Sequence, residues 1–197
     1  MPMGRLDPTR KTGTIDRTMQ NATAPTAPAH ATTVAYDDLA AAAAGVLARA
    51  DLPDIAEACG EACAFLEACS YPGLALLFEA LDTTPSNGRH PDLQPDSLGL
   101  DLGNVSCVFL APRIARMVEE RRRLFLRNVR HGLYLVPFSI KANIGIGCPV
   151  DPAFALGGER TRNPFEEKLA LARQGGIAVA ESLWKRTSAW RGNPTIS

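Results

Sequence analysis

Residues 105–140 read VSCVFLAPRIARMVEERRRLFLRNVRHGLYLVPFSI, and the assignment of this stretch decides the fold. It sets a basic segment between two apolar runs. Seven arginines fall between Arg113 and Arg130 against only Glu119 and Glu120, a local charge of about +5 in a chain whose formal total is zero. Two assignments compete at Pro112. In the first, VSCVFL is a short strand and Pro112 sits in the first turn of a helix to Arg130. Gly132 ends that helix and LYLVPFSI follows as a second strand, giving a βαβ unit. In the second, Asn104 caps a single helix kinked at Pro112. A proline eight residues into a helix costs about 3 kcal/mol, which favours the first. Ile114, Met117, Val118, Leu124 and Phe125 supply a helical apolar stripe either way, and Pro137 demotes the second strand to an edge or a bulge.

Upstream, the pattern is helical. Asp37 or Asp38 can cap a helix to about Ala50. Asp51 and Pro53 open a second helix, whose stripe runs Ile55, Cys59, Ala62, Leu66, Cys69 at the 3.6-residue period. Ser70 and Pro72 start a third, LALLFEAL, apolar nearly all round and therefore central. Residues 83–104 then hold three prolines and three glycines and read as a long irregular loop, either a binding loop or a crossing between two halves. Downstream of 140, Asn163-Pro164-Phe165-Glu166 opens a C-terminal helix. Gly175-Gly176 is either its end or a close-packing point with only a slight break, since the helical phase carries across the pair to Leu183, and Trp184 and Trp190 pin the helix to the core. The expected fold is α+β and predominantly α-helical: a helical N-terminal half, a small strand component near 105–110 and 133–146, and C-terminal helices.

Residues 1–35 are rich in Thr, Ala and Pro and carry Arg5, Arg10, Lys11 and Arg17 against Asp7 and Asp16. Such a segment buries too little apolar surface to offset its ordering entropy. It reads as a disordered tail with the composition of a non-classical targeting or export signal. Residues 36–197 read as a single globular domain with the long loop at 83–104. Balanced charge and a pI near 6.8 argue against whole-surface nucleic-acid binding, and no run approaches the ~20 apolar residues of a membrane span. Five cysteines without a signal peptide read as reduced thiols. The expected location is the cytoplasm, or another cell reached by translocation.

No motif fixes a chemistry. The firmest signal is the arginine-rich helix, in which Arg113, Arg116, Arg123, Arg127 and Arg130 can meet carboxylates or phosphate. It points to a non-enzymatic interaction protein, an adaptor or a delivered effector, whose partner is an acidic protein or an anionic ligand. The alternative is a thiol-dependent hydrolase or acyl-transfer enzyme with Cys107 as nucleophile and His131 as base. It expects a depressed Cys107 pKa. Cys59, Cys63 and Cys69 share a helix but lack zinc-site spacing, so neither metal nor cofactor is expected. Asn143–Cys148 carries part of the glycine spacing of a phosphate loop without its helix. Asp96, Asp101 and Asn104 lack the density of a calcium loop.

Overall fold

A computed structural model of the protein describes residues 30–121, 123–150, 153–159 and 163–191. The helical N-terminal half forms as its apolar periodicity and proline breaks indicate: α1 (Tyr36–Arg49), α2 (Pro53–Ala68) and α3 (Gly73–Thr83). Pro53 takes the first position of α2, where its missing N–H costs nothing. Asp37 and Asp38 lie inside the first turn of α1 and do not cap it; there they complement the positive end of the helix dipole. Leu39, Leu47, Leu66, Leu77 and Phe78 are all at most 1% exposed and fill the core between these helices. α1 and α2 approach closely at Gly60, where a Cβ would stand 2.5 Å from the Ala40 carbonyl oxygen.

The central stretch departs from the favoured assignment. VSCVFL is not a strand: α4 runs Cys107–Arg121 with Pro112 inside it. The acceptor that Pro112 abandons, four residues back, is the Val108 carbonyl, and the Cys59 thiol donates to it at 3.2 Å. A thiol on α2 thus replaces the lost helical bond, and the interior proline becomes tolerable. Nor does the helix continue to Arg130. Residues RLFLR form β3 (Arg123–Arg127), because Leu124 and Leu126 are buried while Phe125 between them is exposed, a period of two. LYLVPFSI is helical too. A 3-10 turn at Gly132–Tyr134 leads into α5 (Leu135–Lys141), where Pro137 falls in the first turn, among N–H groups without helical partners. Of the strand expected over 133–146, only its end survives, inside β4 (Ile144–Val150).

The strand component is therefore small, and its strands fall mostly outside the stretches that the residue pattern suggests. β2 (Leu100–Asp101) lies parallel to β3, and β5 (Ala153–Glu159) pairs antiparallel with both β3 and β4, giving the order β2-β3-β5-β4. A second sheet joins β1 (Ala31–Val34) to β6 (Ile177–Ala180). β1 falls within the 1–35 segment assigned to the tail; residues 1–29 lie outside the described residues. The glycine pair breaks the C-terminal helix fully. α6 (Glu166–Gly175) ends at Gly176, whose φ of +79° suits glycine, and β6 intervenes before α7 (Glu181–Ala189). A Cβ at Gly176 would also stand 2.8 Å from Thr33 of β1.

The loop after α3 is held by Arg89, which is 3% exposed. Its guanidinium donates to the carbonyls of Ala50 at 2.9 Å, Thr84 at 3.1 Å and Leu81 at 3.3 Å, and lies 5.7 Å from the Phe109 ring centre. Arg89→Met removes the donors of three carbonyls and is expected to cost about 3 kcal/mol, read as a fall of about 10 °C in Tm. Gly60→Ala forces α1 and α2 apart and is expected to cost about 2 kcal/mol in chemical denaturation.

Candidate functional site

The parallel pairing of β2 with β3 continues past both strands and brings the start of α4 to His131. Leu102 N–H donates to Arg127 O, Asn104 N–H to Asn128 O, and Cys107 N–H to Arg130 O, all at 2.9–3.0 Å. Asn104, Asn128 and His131 adopt left-handed conformations, with φ between 51° and 59°. Asparagine tolerates this region and histidine enters it less often.

In this frame His131 Nδ1 stands 2.8 Å from Ser106 Oγ, and Ser106 Oγ accepts the Val108 N–H at 3.1 Å. The serine hydroxyl, completely buried, needs an acceptor for its own proton, and Nδ1 is the one available among the described residues. The imidazole proton therefore belongs on Nε2. That nitrogen faces Glu79 Oε1 of α3 at 3.2 Å, at an angle too poor for a hydrogen bond. Arg130 reaches the same oxygen at 3.1 Å. The His131 side chain is only 6% exposed. Burial is the main influence holding its pKa below the ordinary value, and Arg130 adds to it while Glu79 opposes. The hydrogen bond from Arg130, with the nearby His131 ring, holds Glu79 below the usual carboxylate range.

A serine, a histidine and a carboxylate in line suggest nucleophilic catalysis. The surroundings oppose it. Ser106 is sealed, and the nearby amides are already committed: Cys107 to Arg130 O, Val108 to Ser106 Oγ, Phe109 to Ser106 O. None is left to stabilise an oxyanion. The trio instead fixes the first turn of α4 to residues 128–131 and to α3.

The residues singled out from the sequence are placed as follows. Cys107 and His131 are neighbours across the pairing, but the histidine serves Ser106 and the thiol is fully buried. Burial pushes the Cys107 pKa up to about 12, opposite to the depression a nucleophile needs. Cys59, Cys63 and Cys69 are buried in the core, and burial raises the pKa of each. Among the described residues no three His, Cys, Asp or Glu side chains stand together as metal ligands. Asp96 accepts from Leu98 N–H and Arg127, and Asp101 from Gly103 N–H and Asn128. The glycine run after Asn143 is strand β4, not a phosphate loop. No protein-family model matches the chain, and comparison with curated proteins and with solved structures gives no match either. Among the described residues no helix is long and apolar enough to cross a membrane.

The arginines do not share one helix. Arg113 and Arg116 lie on α4, Arg123 and Arg127 on β3, and Arg130 beyond it. Arg113 pairs with Asp92 at 3.6 Å, Arg127 with Asp96 at 2.6 Å and Arg130 with Glu79, while Arg116 makes a long contact with the Pro112 carbonyl. What the residue pattern did not single out is an apolar pair near the Arg127–Asp96 ion pair. Phe125 on β3 is 40% exposed and Leu98 is 66% exposed. They border a surface cleft of about 530 Å³, lined also by Pro95, Asp96, Ser97, Gly99 and Leu124. Leu98 stands at the tip of a tight turn. Asp96 and Gly99 exchange backbone hydrogen bonds, and a Cβ on Gly99 would collide with the Phe125 carbonyl. Period two in RLFLR was the available signal.

In the native protein near neutral pH, Cys107 is expected to alkylate only at the rate of unfolding, followed by peptide mapping of labelled samples; labelling within seconds would mean an accessible thiolate.

Proposed function

We propose that the protein is a non-enzymatic binding protein for an acidic protein segment, engaged by the arginines of α4 and β3 around an apolar anchor site at Leu98 and Phe125. The observation that carries this reading is the exposed Phe125, set on β3 two residues from Arg123 and from Arg127 and facing a cleft. Exposed apolar groups held at fixed geometry mark interaction sites more often than scattered ones do, and aromatic and arginine side chains dominate binding energy at such sites. The internal ion pairs of Arg113, Arg127 and Arg130 are at the surface, where water screens them. A partner's carboxylates can therefore exchange for them at little cost. Arg116, exposed and without a carboxylate partner among the described residues, is the residue most ready to do so. A partner of this kind inserts an apolar side chain beside Phe125 and flanks it with Asp or Glu.

Selection from a random peptide library is expected to enrich an apolar residue flanked by acidic ones. Affinity for a selected peptide should fall at least about tenfold with Phe125→Ala, and with Arg116→Ala, Arg123→Ala and Arg127→Ala combined. It should fall by about as much when salt rises from about 0.05 to 0.5 M. Peptides without acidic residues, or affinity indifferent to these variants while the fold is intact, would overturn the reading.

A further inference from the structure

The proton count at His131 has a consequence for the frame that carries β3. With the imidazole neutral, each proton of the trio has a place. The Ser106 hydroxyl donates to Nδ1, Val108 N–H donates to Ser106 Oγ, and the Nε2 proton faces Glu79. One more proton turns Nδ1 from acceptor to donor. Ser106 Oγ then receives two N–H groups, and its own proton loses the one acceptor it has among the described residues. Ser106 is completely buried, and a buried donor without an acceptor is destabilising. The imidazolium has an alternative 3.2 Å away in the Glu79 carboxylate, towards which Nε2 is already turned without a well-directed bond.

We propose that Ser106, His131 and Glu79 form an acid-sensitive latch: protonation moves His131 from Ser106 to Glu79 and releases residues 128–131 from the start of α4. The segment it releases is strained. His131 holds a left-handed conformation that its surroundings maintain, and the Cys107 bond to Arg130 O is part of the same junction. Among the described residues, the charged groups around the imidazole are Glu79 on α3 and Arg130 on its own segment. On the α4 side stand the Ser106 hydroxyl and the Cys107 thiol, which stays neutral through this range; Tyr134, in the following turn, is un-ionised as well. Burial and Arg130 hold His131 below the ordinary histidine pKa of about 6.5. The latch is therefore closed at neutral pH and opens in acid. Stability falls in the same direction, because the unfolded chain takes up this proton first. The latch governs the frame of the basic face and holds whether or not that face binds an acidic partner.

The test is amide hydrogen exchange on the full chain at about pH 7.5 and about pH 5, corrected for the intrinsic pH dependence of exchange. Protection of the Val108 amide, and of the Cys107 amide bonded to Arg130 O, is expected to fall at least about tenfold in acid while the core of α2 changes little. His131→Asn keeps an acceptor at the Nδ1 position and suits the left-handed backbone, so it should abolish the acid response. Equal protection at both pH values, or an acid response that survives in the variant, would overturn the latch. Should the variant fail to fold, the His131 ring titration in the wild-type chain decides. Titration below the free-histidine value, with a concerted shift of the Val108 amide, supports the latch; titration at or above that value overturns it.

Discussion

Three helix-end carbonyls converge on one buried guanidinium, and the helical half depends on that meeting. The C-terminal ends of α1 and α3 carry like partial charge and orphan acceptors, so bringing them together without a donor would be unfavourable. Arg89 supplies a planar fork that reaches Ala50 beyond α1 and Leu81 and Thr84 at the end of α3, while the Phe109 ring of α4 lies beside it. Desolvation depresses its pKa, yet an arginine starts so high that it remains charged. A lysine could not serve in the same way, because a single ammonium lacks the spread of donors. Arg89 thus ties the ends of α1 and α3 together beside α4, the helix that the Ser106 turn opens.

Other arginines repeat the device on a smaller scale. Arg49, at the end of α1, donates to Thr187 and Trp190 carbonyls at the end of α7. Arg186 of α7 lies 4.3 Å above the Phe78 ring centre and pairs with Asp82. The basic residues of this protein thus act first as connectors between elements. The arginine run of 113–130 is shared between a helix, a strand and a loop for the same reason, with Asp92, Asp96 and Glu79 brought to it from other parts of the chain.

The three N-terminal helices were legible because their signals are local: a proline at a first turn, apolar residues at helical spacing, and polar breaks between them. The predominantly helical α+β class follows from the same signals. The assignment around Pro112 was not legible, because the bond that replaces the lost one comes from Cys59, 49 residues earlier in the chain. The change to strand at Arg123 was masked by charge, since RLFLR reads as the continuation of a basic helix until Leu124 and Leu126 are seen to be buried together. His131 could be picked out as a chemistry-bearing residue. Its partner could not, because the neighbour of Cys107, rather than Cys107 itself, faces it across the pairing. Leu98 and Phe125 lie 27 positions apart, so no window of sequence joins them.

The pairing of β1 with β6 joins segments about 150 residues apart, a contact of very high sequence separation and correspondingly late formation. During synthesis at about 5–20 residues per second, β1 leaves the ribosome roughly 7–30 seconds before its partner strand exists. Over that interval α1 to α3 can assemble from near neighbours alone, while the strand that precedes them keeps its backbone donors and acceptors hydrated. Closing this ribbon therefore joins an early-made segment of the fold to a late-made one, with Gly176 as the point where the returning chain must pass close to Thr33.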